Sequence, residues 1–285
     1  MRELNNRIVG NLSCFAAYAI FGFNIISCRS IALDGNITPM ALFCLRSFGA
    51  TALFWLCSLF AAPGEQVEVK DLWKAAVASF LGLFMTQLSF LYSVTKCTAI
   101  DVSIMSTLTP IMTLIISAIV IKERIIWNGI AGMVVNTLCF ASYVGIFKPL
   151  IQKYPVVTFM KWMFLFSSLM ALPFSFSAFG ASDLAAVPMN VMWQVIFVVV
   201  AATFIAYFLV PIGQKRLKPV IVCMYTYVQP VIAMAISLVM GMDTLNWLKI
   251  IATVLVFSGV GLVNFVPKSN VNSHSGDDFQ GVDEG

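Results

Sequence analysis

The sequence predicts an all-α integral membrane protein, a bundle of nine hydrophobic helices carrying the imprint of a ten-helix, five-plus-five inverted repeat. Three observations predict it. The first is composition: of 285 residues, 60% are hydrophobic and 11% charged, with a mean hydropathy of +0.93, whereas a soluble domain is about 25% charged. So much apolar surface cannot be hidden in one soluble core, and lipid becomes the expected solvent. The second is a series of apolar runs, each close to the roughly 20 helical residues that cross a hydrocarbon core. The third is self-similarity between the two halves of the chain.

The elements follow in order. The run 8–28 comes after Arg2 and Arg7; it is too long for a signal-peptide core and no A-x-A-like cleavage site follows it, so a mature helix is expected. The runs 39–62, 75–95 and 97–121 follow, and then 125–147, 156–178, 191–213, 219–241 and 246–266. From Lys268 the sequence KSNVNSHSGDDFQGVDEG is polar, acidic and glycine-rich, the composition of a disordered tail.

A shift of 120 residues superposes Pro110 on Pro230, Ile116 on Ile236, Ser117 on Ser237, Trp127 on Trp247 and Val134 on Val254, with Glu123 falling on Asp243. A shift of 125 places Asn11, Cys14, Phe15, Ala16 and Tyr18 on Asn136, Cys139, Phe140, Ala141 and Tyr143. The expected organisation is a first repeat over 1–135 with its last helix truncated, a second over 136–267, and the tail 268–285. The two matches collide in the fifth run, where one apolar span stands in the place of two helices. That span either crosses once or folds as a re-entrant hairpin.

Charge placement bears on the count, because Lys and Arg concentrate in cytoplasmic loops. With an inside N-terminus and ten crossings, Arg2, Arg7, Lys70, Lys74, Lys122, Arg124, Lys148, Lys153, Lys215, Arg216, Lys218 and Lys268 all fall inside, against Arg29 and Lys96 outside. With nine simple crossings everything after residue 147 changes sides and the bias vanishes. An odd number of helices per repeat inverts the second copy, an architecture common among secondary transporters, with the substrate site at the repeat interface. A multi-pass protein of the cytoplasmic membrane, with N-terminus and C-terminal tail cytoplasmic, is the expectation.

Several function classes are disfavoured. The basic residues are scattered between apolar runs, so no nucleic-acid partner is expected. Cys14, Cys28, Cys44, Cys57, Cys97, Cys139 and Cys223 form no CxxC pair, and His274, the single histidine, lies in the polar tail; no metal site and no cofactor are expected. No nucleophile–base pair, carboxylate pair or GxxxxGK[ST] loop is visible, so neither an enzyme nor an ATP-driven pump is expected.

The stretch NLSCFAAYAIFGFN and its echo NTLCFASYVGIFKPL, the arginine-bearing TPMALFCLR, and TAIDVSIMSTLTPIMTLIISAIVIKERI with its echo VIVCMYTYVQPVIAMAISLVMGMDTL resemble the EamA-like members of the drug/metabolite transporter superfamily, over residues 8 to about 267. The resemblance implies ten helices in two inverted repeats and transport of small metabolites, amino acids or drugs across the cytoplasmic membrane, with export the usual direction. This chain departs from the pattern at residues 135/136, and the alternative is a non-transporting membrane remnant or scaffold. The implied partners are a small-molecule solute and the bilayer, with proton or solute counter-flow as the driving force.

Candidate solute contacts are the polar groups that lipid would penalise. Arg46 stands seven residues beyond Pro39, about 10 Å into its helix, and an intramembrane arginine is a functional-site hypothesis by default. If it faces a cavity it favours a carboxylate or phosphate on the solute. Tyr18 and Tyr143 share helix faces with Asn11 and Cys14 and with Asn136 and Cys139, faces expected to line a central cavity if both first helices do so. Gln87, Tyr225 and Gln229 are further candidates, with polar helix-to-helix contact as the alternative role. Asp101 and Lys161 are candidates for coupling or gating, helix-dipole pairing and snorkelling being the competing readings. Pro110 and Pro230 are expected to kink their helices.

Overall fold

The computed structural model describes residues 2–60, 67–100, 102, 129–217, 221–222 and 225–241. Most of the run 97–121, the run 246–266, the tail, Asp101 and Pro110 lie outside the described residues. Among the described residues every regular element is helical.

Helix α1 spans Arg2–Asp34 and α2 spans Pro39–Phe60. The start of α2 is set by Thr38, whose Oγ1 accepts a hydrogen bond from the Ala41 amide at 3.2 Å, with Pro39 in the first helical position where its missing N–H costs nothing. A continuous rod then runs from Val69 to Lys96 as α3 (Val69–Ser79), a π-helical segment (Phe80–Met85) and α4 (Thr86–Lys96). Next come α5 (Gly129–Ile146), the short α6 (Lys148–Lys153) and α7 (Val156–Gly180). A second rod follows as α8 (Met189–Val199), a π-helical segment (Val200–Ile205) and α9 (Ala206–Arg216). The last described helix is α10 (Val228–Val239).

Each α–π–α rod begins, bulges and ends 120 residues from its counterpart, so the repeat legible in the sequence reappears as shape. The helices also exchange partners: α1 packs on α9 of the second rod, and α5 packs on α4 of the first. Helices α2 and α7 pack face to face. Thr38 meets Ala178 and Ser182, Ser47 meets Ser167, Phe54 stacks on Phe164 and Trp55 meets Trp162. Numbers rise along one helix as they fall along the other, so these two repeat counterparts are antiparallel, the relation that inverted halves require.

Burial is inside-out relative to a soluble protein. Leu59, Phe60, Trp73, Phe176, Trp193 and Val239 are exposed, while Ser47, Ser79, Ser93, Ser167 and Thr203 are fully buried. Small hydroxyl side chains in the bundle allow close helix approach and bond across it; Ser79 Oγ donates to the Met163 carbonyl at 2.6 Å. Five helices among the described residues are long and apolar enough to cross a membrane: Asn5–Asp34, Pro39–Phe60, Val69–Lys96, Val156–Gly180 and Met189–Arg216.

At the repeat junction, residues 129–146 form one continuous helix of 18 residues, about 27 Å long, and not a hairpin. The polar Asn136 is accommodated within it because its Nδ2 donates to the Thr86 carbonyl at 2.6 Å, a partner that lipid could not supply. The two ends of the bundle are chemically unlike. At one end Lys153 pairs with Glu68 at 2.7 Å and Asp71 at 2.6 Å, Lys74 pairs with Asp71 at 2.8 Å, Tyr154 Oη donates to Asp71 at 2.7 Å, and Lys215 donates to the Tyr154 carbonyl. Asp71 thus joins Lys74 and Lys153 at one end of the bundle, although nine simple crossings would separate those two lysines. At the other end Arg29 donates to the Val94 carbonyl at 2.8 Å, capping the last turn of α4.

Candidate functional site

A cavity of about 100 Å³ lies where the halves meet, lined by Tyr18, Phe21 and Asn24 of α1, Arg46 of α2, Thr86, Gln87 and Phe90 of α4, Asn136 and Phe140 of α5, Tyr207 of α9, and Thr226 and Gln229 at the start of α10. The helix starts and the π segments explain why these side chains converge. A π turn carries one extra residue and rotates the remainder of its helix relative to the first part. Thr86 and Gln87 follow the first π segment directly, and Tyr207 stands at the corresponding place after the second. Gln87 and Tyr207 are 120 residues apart, so one repeat position contributes to the cavity from both halves.

Arg46 is the dominant charge. It is 2% exposed, its Nε donates to Thr203 Oγ1 at 2.9 Å, and its Nη1 is buried without a partner. Thr203 spends its own hydroxyl proton on the Val198 carbonyl at 2.7 Å, five residues back in the last turn of α8. No carboxylate of the described residues lines the cavity. A buried cation with an unsatisfied donor is costly unless something completes it, and lining groups of this kind, apolar rings with a few converging polar atoms, are the general make-up of a small-solute site.

Of the residues singled out in the sequence, Arg46, Tyr18, Gln87 and Gln229 are brought together here. Tyr143 is not in the lining: its ring lies against Gly82, where a Cβ would come within 2.7 Å of ring carbons. Tyr225 packs with Cys14, Tyr18, Leu217 and Val222. Lys161 holds its ammonium 5.1 Å above the Trp55 ring, away from the cavity. Pro230 stands in the first turn of α10, four residues after Thr226; its ring excludes a helical carbonyl at that position, and a turn at residues 226–227 breaks the helix there. Thr226 thereby joins the lining. Thr203 carries no signal in the sequence, being a threonine inside an apolar run with nothing to distinguish it. Asn24 and Phe21 extend the Tyr18 face in steps of three, and Tyr207 is the repeat counterpart of Gln87; both signals were available.

This geometry, an all-helical bundle with two rods of the same construction and a polar cavity between its halves, is matched by a family assignment. The EamA-like transporter family matches residues 8–137 and again residues 127–265. The chain belongs to that family. An uncharacterized transporter of Archaeoglobus fulgidus is similar to this EamA-like protein at 24% identity over 198 residues, covering 60% of this chain and 68% of the relative. A solved crystal structure with 16% identity superposes with a TM-score of 0.64, covering 92% of this chain and 99% of that one, which concerns the fold alone. The EamA-like chain is therefore a multi-pass membrane transporter, working on a small-molecule solute in a lipid bilayer.

Proposed function

We propose that the chain is a secondary transporter that carries one small metabolite, amino acid or drug-like solute at a time through the central cavity, by alternating access of its two halves. The observation that carries this reading is Arg46, buried and half-satisfied in a cavity to which both repeats contribute. The two-fold relation supplies the mechanism. Two inverted halves that rock about a shared contact expose the same cavity first to one side and then to the other. The ion-paired end, from Glu68 and Asp71 to Lys153 and Lys215, is the closed gate of this conformation.

By the positive-inside rule that end faces the cytoplasm, so the inner gate is shut and the next movement opens it. A proton or a counter-solute supplies the driving force, and export is the physiological direction. The test is reconstitution into proteoliposomes and uptake of a broad panel of labelled metabolites. Uptake above empty liposomes, saturable and lost in Arg46→Ala with folding intact, is the expected result. Uptake equal to empty liposomes across the panel would favour a non-transporting scaffold.

A further inference from the structure

Resting on the cavity as the solute site, we propose that the solute presents an oxyanion, a carboxylate or phosphate, to Arg46 Nη1, and that Thr203 is the residue that positions the guanidinium for it. Arg46 Nε is fixed by Thr203 at 2.9 Å, and its Nη1 has no hydrogen-bond partner although the side chain is 2% exposed. No carboxylate of the described residues lines the cavity to neutralise it. Buried charges require pairing and hydrogen bonding, and a planar N–H edge is matched best by an oxyanion. A cationic solute would meet an unshielded like charge in a low-dielectric site. A neutral one would leave the charge uncompensated.

The lining amides do not take the anion's place. Asn136 has its Nδ2 on the Thr86 carbonyl, and Gln87 has both amide atoms buried without a hydrogen-bond partner, so neither bonds Arg46 Nη1. The ring-bearing residues Tyr18, Phe21, Phe90, Phe140 and Tyr207 provide apolar walls for the remainder of the solute.

Thr203 is suited to hold the cation and nothing else. A hydroxyl has one proton, and that proton is committed to the Val198 carbonyl at 2.7 Å. The oxygen therefore faces Arg46 as a pure acceptor. Val198 lies in the last turn of α8, five residues before Thr203 of the π segment, so the bulge in the second rod is what orients the acceptor. The 120-residue shift puts Phe166 at the counterpart of Arg46 and Leu83 at that of Thr203. The anion site is thus built in one half only, displaced from the two-fold relation that organises the helices.

Two isosteric sets and one further anion test this: benzoate with benzamide and benzylamine, propionate with propionamide and propylamine, and inorganic phosphate alone. Thermal midpoint shifts of the purified protein in detergent, and inhibition or uptake in proteoliposomes, are both read. The expected result is that at least one anion acts with an apparent affinity about ten-fold or more above its neutral and cationic isosteres, the value of one charge-assisted hydrogen bond. Thr203→Val raises the KM for that anion about ten-fold with kcat little changed, Thr203→Ser stays close to wild type, and Arg46→Gln abolishes the preference for the anion.

Equal response to the neutral isosteres, a preference for the amines, or silence of every anion overturns the inference, and in those cases a transported neutral or cationic solute leaves the transporter reading standing. Anions that shift the midpoint while no solute is moved would sustain the anion site and reject transport. If Arg46→Gln does not fold, the Thr203 pair and the isostere comparison still decide.

Discussion

Ser47 and Ser167 are one repeat length apart in the chain and touch in the fold, their hydroxyl oxygens 3.1 Å from one another at the centre of the α2/α7 contact. Two counterparts that meet each other mark the two-fold axis relating the halves. Thr51 and Ser168 bond beside them at 2.7 Å, and Ser47 and Ser167 are fully buried, so the centre of this contact is a hydroxyl seam between antiparallel helices.

Points on a rotation axis move least, so a cross-link at this seam is expected to be compatible with turnover. In a cysteine-free background, Ser47→Cys with Ser167→Cys should oxidise to a disulfide, since adjacent Oγ positions lie within reach of the required geometry. Solute uptake should persist in the oxidised protein. Cross-linking that abolishes uptake reversibly with reductant would place the moving boundary at α2/α7 instead.

The ion-paired end makes a prediction about pH. The Lys153 and Lys70 ammonium groups hold the Glu68 carboxyl below its ordinary value, and Asp71 and Glu68 hold Lys153 above its own. A lowered carboxylate contributes stability above its unfolded pKa and loses it as pH falls through the folded one. A raised lysine contributes below its unfolded pKa and loses it as pH rises through the folded one. The stability difference between wild type and Lys153→Met is therefore constant from about pH 5.5 to 9, and shrinks below about pH 4 and above about pH 10.5. Thermal midpoints across that range check it; a difference that titrates near neutrality would contradict the assignment.

Lys153→Met should also loosen the gate. Labelling of a cysteine introduced at Thr226 by a membrane-impermeant thiol reagent, applied from the face bearing Lys153, should be faster in this variant than in the wild type. An unchanged rate would remove the gate role from this cluster.

Tyr143 is held by close approach to Gly82, where a Cβ would stand 2.7 Å from the ring. Gly82→Ala is expected to destabilise by about 1–3 kcal/mol, the cost of overpacking, and Tyr143→Leu should restore much of the loss. Thermal or denaturant unfolding in detergent reads both. An additive double variant would mean the two residues are not coupled.

Lys161, over Trp55 at 5.1 Å, is expected to act as an anchor at the bundle surface. Lys161→Met should leave the KM of a transported solute within about two-fold of wild type, since an exposed cation–π contact is worth about 0.5–1 kcal/mol of stability and does not reach the solute. A large change in KM would return Lys161 to the coupling role.

Much of this architecture was legible in the chain because membrane physics is written in composition and period. The apolar runs fix where helices lie, and the match of Gln87 to Tyr207 follows from the same 120-residue shift that links Pro110 to Pro230. Arg46 stood out because lipid penalises charge wherever it occurs. What escaped was set by geometry that no period carries. The π segments at Phe80–Met85 and Val200–Ile205 have no distinctive residue pattern, and they rotate Gln87 and Tyr207 into place. Thr203 became visible only once the helix that bears it was seen against Arg46, and Tyr143, on the same sequence stripe as Asn136, turned out to pack on a glycine because α5 lies so close to the first rod.

The most direct test fills the cavity. Gln229→Trp inserts a large ring among Tyr18, Asn24 and Gln87, and counterflow is measured in proteoliposomes for whichever panel solute the wild-type protein moves. With the thermal midpoint and elution volume unchanged, the cavity reading predicts that counterflow falls to the level of empty liposomes; counterflow at the wild-type rate would mean that solute passes elsewhere and would contradict it.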